Sequence, residues 1–531
     1  MKLEIVDHSP STAGSTTSIL IRYALLAVPI LITTRLLIFI YKSLTSPLRS
    51  VPGPLLARFT RLYYFYRLSR GSWHHDDIAL HRKHGPVVRV APDMYSIDHP
   101  EVVKKVYGIN SKFPKSDWYY AWQHPDPNRW TLFPDRDMKR HAETRKRFQS
   151  MYSMSSLVNY EGYVDSCAEI FGRRLSEFAA RGQTIDMAHW FQCYAFDVIG
   201  DITYSQRFGF LDKGEDVSGL LKALHSVLKY GALVGVYAKW HPLVFAISNR
   251  LGLGGGEGRV ALMKYVKERI QQREEDQKSG VDVEKMGERD ENAPMDFLEK
   301  LMRANQHDPQ KVTPYHVFMM GLSNIIAGSD TTAVSLSSIL YNLLKYPDTM
   351  RKLRDEIREY EEQGRCGNPA VSFKESQEMP YLQAVMKEAL RMHAATGLPM
   401  WRVVPEGGVE ICNRFFPEGT IVGLNSWCAH YNEDVFGPDA KHFRPERWIE
   451  AEKEGGERLR VMESYYLPFG LGSRTCIGRH ISFLEMSKLI PQLVRRFDFE
   501  LEQPERDWST VNYWFVKPTD FRVKVMARRE Q

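Results

Sequence analysis

Apolar residues along this chain fall into two periods, and the longer one dominates. From about residue 100 onward they recur every three to four positions, which predicts long amphipathic helices over 160–180, 190–205, 258–277, 314–346, 348–363 and 379–392. His84 to Asp98 (HGPVVRVAPDMYSID) instead alternates apolar and polar residues about a Pro-Asp turn, the pattern of a hairpin. Strand-like sequence returns over about 400–425 and 508–528. The expected fold class is mainly α with a small β portion. Two biased stretches add no chemistry. Gly252 to Gly258 (GLGGGEG) has no Lys-Ser/Thr and no preceding strand, so it reads as a loop before a helix and not as a nucleotide cradle. Gln271 to Asn292 is highly charged and poor in apolar residues, and reads as a solvated surface connection.

Near the N-terminus the periodicity disappears into a continuous apolar run, Ile19 to Tyr41, broken only by Arg22, Pro29, Thr33, Thr34 and Arg35. As a helix it would extend about 35 Å, enough to cross a hydrocarbon core of about 30 Å. A central Arg opposes insertion by roughly 2.5–3.5 kcal/mol, less where it snorkels toward an end. The run is longer than the apolar part of a cleaved signal and no small-residue cleavage site follows it, which predicts a retained anchor. Lys42 and Arg49 after it, with Glu4 and Asp7 before it, put the body on the cytosolic side. Pro47 and Val51-Pro52-Gly53-Pro54 then predict a stiff elbow. The expected layout is a short tail (1–18), a transmembrane helix (19–41), a Pro-rich linker (42–54) and one large domain (55–531).

Composition narrows the function classes. With 71 Lys and Arg against 65 Asp and Glu, the net charge of +6 over 531 residues gives no reason to expect a nucleic-acid partner. The six cysteines, Cys167, Cys193, Cys366, Cys412, Cys428 and Cys476, are too sparse for a disulfide scaffold and form no CxxC pair. They read as reduced thiols, which agrees with the absence of any Asn-x-Ser/Thr acceptor.

One cysteine stands apart. Pro468 to Gly478 (PFGLGSRTCIG) holds Cys476 on a glycine-constrained loop just before a new apolar-periodic run. Backbone N–H groups and the positive end of the helix dipole there are expected to lower the thiol pKa. A thiolate in that setting is a nucleophile, a zinc ligand or an axial haem ligand; zinc is disfavoured because His480 is unaccompanied. A second feature is Ala327-Gly328-Ser329-Asp330-Thr331-Thr332 inside the apolar helix 314–346, where a Gly, an acid and hydroxyls break the rules for a buried helix and suggest a site. A third is Glu388 and Arg391, three residues apart on one helical face. Alone this pair is uninformative, since Glu362/Arg365 and Glu457/Arg460 repeat its spacing.

Taken together, Phe469-x-x-Gly472-x-Arg474-x-Cys476-x-Gly478, the Glu388/Arg391 pair, Arg447 in FRPERW and AGSDTT, in that relation to one another, resemble the cytochrome P-450 family of haem-thiolate monooxygenases. The resemblance is to microsomal fungal members of specialised metabolism or detoxification, the pisatin demethylase group among them. It implies the family fold, with the motifs around one haem in a single catalytic body. Cys476 would be the axial ligand to the iron of haem b. Asp330 and Thr331 would relay protons to bound O2, beside small Ala327 and Gly328. Glu388, Arg391 and Arg447 would form a structural cluster behind the haem. Arg145, Arg402 and Arg474 would meet the haem propionates, with Phe469 in the cysteine loop. At the partner of Arg145 the family has Trp where this chain has His141. Trp118, Tyr120, Ile326, Thr396, Leu398 and Phe515 align with the substrate pocket, and the aromatic content of 110–135 suits a lipophilic small molecule. Hydroxylation, epoxidation and O-demethylation are the implied reactions. Electrons would come from NADPH through a separate NADPH-cytochrome P-450 reductase, docked on the basic face at Lys139, Arg140, Arg145, Lys146 and Arg147, at the endoplasmic reticulum membrane. The alternatives are a family isomerase or dehydratase without net oxygenation, and a non-catalytic haem-binding sensor.

Overall fold

The computed structural model describes residues 46–252, 255–279, 294–367 and 370–528, with isolated positions between 23 and 45. The expected anchor over 19–41 lies mostly outside the described residues, and among the described residues no helix is long and apolar enough to cross a membrane.

Helices make up most of the body. Those that position the site are α1 (Trp73–His84), α2 (Met138–Phe148), α3 (Glu161–Arg181), α4 (Met187–Tyr204), α5 (Leu220–Val236), α6 (Gly255–Lys278), α7 (Phe297–His307), α8 (Pro314–Lys345), α9 (Pro347–Glu362), α10 (Pro380–Met392), α11 (Glu446–Lys453) and α12 (Arg479–Arg496). The predicted helices correspond to α3, α4, α6, α8, α9 and α10 to within about three residues at each end. Helix α6 departs from expectation at both ends. It begins inside the glycine run and continues to Lys278, absorbing the first part of the charged stretch; residues 280–293 are not described.

The long α8 runs through the centre, buried over most of its length and packed against α4, α7, α10 and α12. Thr313 caps its start in a capping box with His316, and Pro314 occupies the first helical position. Most of its hydroxyls are satisfied by their own helix. Ser329, Thr331, Ser335 and Ser337 each donate to the carbonyl four residues back, at 2.7–3.0 Å. Gly328 serves packing, since a Cβ there would lie 2.7 Å from Ile199 of α4. Space beside the helix comes from Ala327 on another face, which is exposed.

The β portion is divided among four small sheets. The predicted hairpin is β1 (Val87–Ala91) with β2 (Met94–Ile97), extended through β7 (Ile421–Gly423) to β4 (Arg402–Val403) in the order β1-β2-β7-β4. The others are β5 (Val409–Ile411) with β6 (Arg414–Phe416), β9 (Thr510–Tyr513) with β10 (Phe515–Pro518), and β3 (Thr184–Asp186), β8 (Phe497–Leu501) and β11 (Arg522–Ala527) in the order β3-β11-β8. The Pro-rich elbow is docked rather than free: Leu48 and Val51 are buried, and Arg89 of β1 donates to the carbonyls of Pro52 (2.8 Å) and Leu48 (2.6 Å).

Candidate active site

The cysteine loop is held by its own backbone. Gly470 and Gly472 have φ of +67° and +58°, a region that side chains disfavour, and a Cβ on Gly472 would collide with the Tyr107 carbonyl. The Cys476 N–H donates to the Phe469 carbonyl at 2.8 Å, which also accepts the Thr475 hydroxyl at 3.2 Å. The Phe469 ring packs on Phe483 with centroids 5.2 Å apart. Helix α12 begins at Arg479 with Gly478 as its cap, so Cys476 precedes the helix by three residues.

Cys476 lies deep in protein mass, yet the residue retains accessible surface, the combination of a side chain turned to an internal recess. A Cβ on Gly478 would likewise point into open space. The expected lowering of the thiol pKa is not found. Burial pushes the thiol up, and the Gly478 and Arg479 N–H groups with the Arg145 and Arg479 charges offset this only in part. All six cysteines are free.

Five basic residues from four segments of the chain meet beside this recess. Arg145 of α2 donates to the Thr475 carbonyl at 2.7 Å. Arg474 donates to the Asp135 carbonyl at 2.8 Å, and burial first, then Arg402, pulls its guanidinium down to about 10. Arg402 is buried and bonded only to neutral groups, the Trp401 carbonyl at 3.1 Å among them. Lys115, bridged to Arg402 across the backbone, is buried against the Tyr119 and Phe133 rings, its charge disfavoured first by burial and then by Arg402 and Arg474. His141 of α2 is pulled down to about 3, by burial and then by Arg474, and is neutral at physiological pH. The carboxylate whose field reaches Lys115 and Arg474 is Asp135, already bound to Arg140 at 2.7 Å. Buried cations without a carboxylate fit a dianionic group, and a lone thiol at their side fits a metal at its centre, so the residues match haem. Lys115 is the member that sequence reasoning missed: it stands in no motif, and only the bridge to Arg402, far along the chain, puts it here.

On α8, Thr331 gives its proton to the Ala327 carbonyl at 2.7 Å and keeps accessible surface, so it presents acceptor lone pairs outward. Its neighbour Thr332 turns the other way, 2.9 Å from Ser482 of α12, and ties α8 to the helix that follows the cysteine. Asp330 is fully buried. One oxygen accepts from Lys517 of β10 at 3.0 Å and from Gln192 of α4; the other has no partner. Neither Lys517 nor Gln192 carries a sequence signal.

Glu388, Arg391 and Arg447 come together with no exposure at all. The Glu388 carboxylate accepts two bonds from Arg391 (2.9 and 2.7 Å), one from Arg447 (2.9 Å), one from the Trp448 indole (2.9 Å) and one from the Arg444 backbone (3.1 Å). Of the pocket candidates, Thr396 and Phe515 are joined by a backbone bridge, Leu398 is buried nearby in sequence, and Ile326 is partly buried on α8. Trp118 is buried under α5, donating to the Ala232 carbonyl at 3.2 Å and packing 5.5 Å from Trp514, the neighbour of Phe515. Tyr120 turns outward, to the Pro125 carbonyl at 3.0 Å and the His241 ring at 5.0 Å.

Residues 52–524 match the family model for cytochrome P-450. The chain is 40% identical over 506 residues to pisatin demethylase of Fusarium vanettenii, covering 94% of this chain and 93% of that one. It is 36% identical over 491 residues to a cytochrome P-450 monooxygenase of Aspergillus terreus (90% and 96% covered). It is 34% identical over 498 residues to one of Penicillium aethiopicum (92% and 95%).

Proposed function

The chain belongs to the cytochrome P-450 family and is a haem-thiolate monooxygenase, and from that premise we propose that it inserts one atom of O2 into a lipophilic organic substrate of fungal specialised metabolism or detoxification, by hydroxylation, epoxidation or O-demethylation. The observation that carries the reading is the accessible Cys476 beside a group of cations that no carboxylate pairs with directly.

Haem iron, when bound, supplies the family's activation of O2 with electrons delivered by a reductase; haem b as the form and NADPH as the source belong to the proposal. The Cys476 thiolate would hold the iron, its backbone clamped to the Phe469 carbonyl. Arg402, Arg474, Lys115 and Arg145 would hold the propionates, and neutral His141 would donate a hydrogen bond where a cation would add repulsion. Thr331 presents an acceptor oxygen to the recess. Asp330, with one oxygen tied to Lys517 and Gln192 and the other free, is the neighbouring group able to hold a proton. Aromatic residues from 118–133 and Trp514 exclude water from the side of the substrate.

Thr331→Ala is expected to lower product formation by roughly 10²-fold while substrate binding changes little, with the two electrons of each NADPH reducing O2 to hydrogen peroxide instead; product and peroxide yields per NADPH measure this. Metabolite comparison between producing and disrupted strains identifies the substrate. Incubation under isotope-labelled dioxygen should then place one labelled atom in each product molecule. Product formed without O2 would sink the monooxygenase assignment.

The electron donor is placed on α2, where Lys139 and Lys146 are exposed and basic while Arg140 and Arg147 are engaged in the protein. Lys139→Glu with Lys146→Glu should raise the reductase concentration needed for half-maximal turnover about tenfold; an unchanged titration curve would exclude this face. Association with the endoplasmic reticulum membrane is supported by exposed Leu55, Leu56, Phe59 and Leu62 together with Trp240 and Leu243. The two groups are joined by the Phe65–Tyr237 contact (6.0 Å) and by Arg61 donating to the Val236 carbonyl (2.9 Å).

A further inference from the structure

Arg259, in the second turn of α6, is a buried cation with no role in the proposed reaction. The residue is 8% exposed. Its Nη2 donates one long hydrogen bond, 3.3 Å, to the Ala121 carbonyl, and its guanidinium lies 5.6 Å from the Phe245 ring. Nη1 has no partner. Arg391, Arg447 and Arg273 are buried as fully, and each holds a carboxylate within 3 Å. Arg259 holds none among the described residues. The polar groups around it are already committed: the Tyr230 hydroxyl lies 2.9 Å from His241 Nδ1, and His241 Nε2 lies 3.1 Å from the Gln123 carbonyl. Burial brings the guanidinium down to about 10, which leaves it charged at neutral pH. A buried charge without a counterion is unfavourable unless something pairs with it.

Its position says what that something is. The short turn Asp117–Trp122, whose Ala121 carbonyl Arg259 contacts, also carries Trp118, and Trp118 packs on Trp514 beside Phe515. Arg259 therefore stands behind the aromatic wall that adjoins the pocket candidates. On its outer side Phe245 belongs to the helix His241–Leu251, which buries only His241 and so is weakly held. Val260, the next residue, is exposed, as are Trp240 and Leu243. A molecule arriving at this apolar surface meets a positive charge under a lightly anchored helix.

We propose that Arg259 is a substrate-binding residue that pairs with the carboxylate of an otherwise lipophilic organic acid, fixing its polar end beside the aromatic turn Asp117–Trp122. This rests on the monooxygenase reading and narrows its substrate class to amphipathic acids. The neutral ester of such an acid lacks the charge that Nη1 would bind and is the natural control.

The test uses the full-length haem-loaded protein with naphthalene-2-carboxylate and its methyl ester as probes, followed by tryptophan quenching and by the Soret shift. The parent should bind the acid at least tenfold more tightly than the ester. Arg259→Gln should bring the ratio within twofold, and Arg259→Lys should keep part of it. In case the variants do not fold, the thermal midpoint of the parent should rise with the acid and not with the ester. Equal affinities, an acid that does not bind, or a preference that survives in Arg259→Gln overturns the proposal. So does a dependence on Arg259 seen only with phosphatidic acid vesicles over phosphatidylcholine vesicles, which would make this a headgroup site. The thermal midpoint and tryptophan quenching report binding whatever the state of the iron–sulfur bond. A parent lacking the thiolate band in its reduced carbon monoxide spectrum would thus overturn the monooxygenase reading separately, and a parent with that band but no acid preference overturns Arg259 alone.

Discussion

Cys476→Ala should leave a folded protein with no turnover above background. The reduced carbon monoxide adduct should lose its red-shifted Soret band. The expectation of a retained fold is local. The loop is set by Gly470 and Gly472 at positive φ and by the backbone bond from Cys476 N–H to the Phe469 carbonyl, none of which the substitution touches. The side chain faces a recess, so removing its sulfur leaves little new cavity. The expectation of lost activity is chemical, because no neighbouring residue can take over as an anionic sulfur ligand. Cys428, which is buried elsewhere, is the control: Cys428→Ala should keep the band. A parent-like band in Cys476→Ala would end the ligand assignment.

Arg391→Ala should prevent accumulation of holoprotein at physiological temperature. Glu388 is completely buried, and removing one of its two guanidinium partners leaves an undercompensated charge, which costs about 3–5 kcal/mol. That is a large part of the roughly 5–15 kcal/mol that keeps a typical domain folded. Arg391 also donates to the carbonyls of His430 and Ala440 at 2.7 Å, so the segment between α10 and α11 loses its tie as well. Chemical unfolding at low temperature, with haem content beside it, measures the effect; an unchanged midpoint would show that the cluster is not structural. The cluster also predicts an acid limit. Burial alone would raise the Glu388 pKa, but Arg391 and then Arg447 outweigh it and hold it below its ordinary value. A carboxyl lowered on folding stabilises the protein fully above its unfolded pKa of about 4.3 and loses that contribution as pH falls below it. Unfolding should therefore set in below about pH 4, and Glu388→Gln should flatten that part of the profile.

Local pattern made several of these residues visible in advance. Glycine spacing marked Cys476, because a tight loop needs glycine whatever surrounds it. The clash of Gly, Asp and Thr with a buried helix marked Asp330 and Thr331. The structure changes the reasons attached to both. Gly328 is small because Ile199 lies against it, and most of the hydroxyls on α8 are back-bonded to their own helix. Asp330 is fixed by Lys517 and Gln192, which lie 187 and 138 residues away. Contacts of that range leave no trace in spacing.

The sequence by itself determined the mostly helical class and the order of the motifs, and singled out Cys476 as the candidate ligand, since these depend on periodicity, turn chemistry and short fixed intervals. Tertiary structure alone decided which cations share one environment in which no carboxylate pairs with them directly. It brought Lys115 to Arg402, kept His141 neutral, turned Tyr120 away from the other pocket candidates and left Arg259 unpaired. Charge energetics depend on burial and on distances through space, and both are products of how remote segments pack.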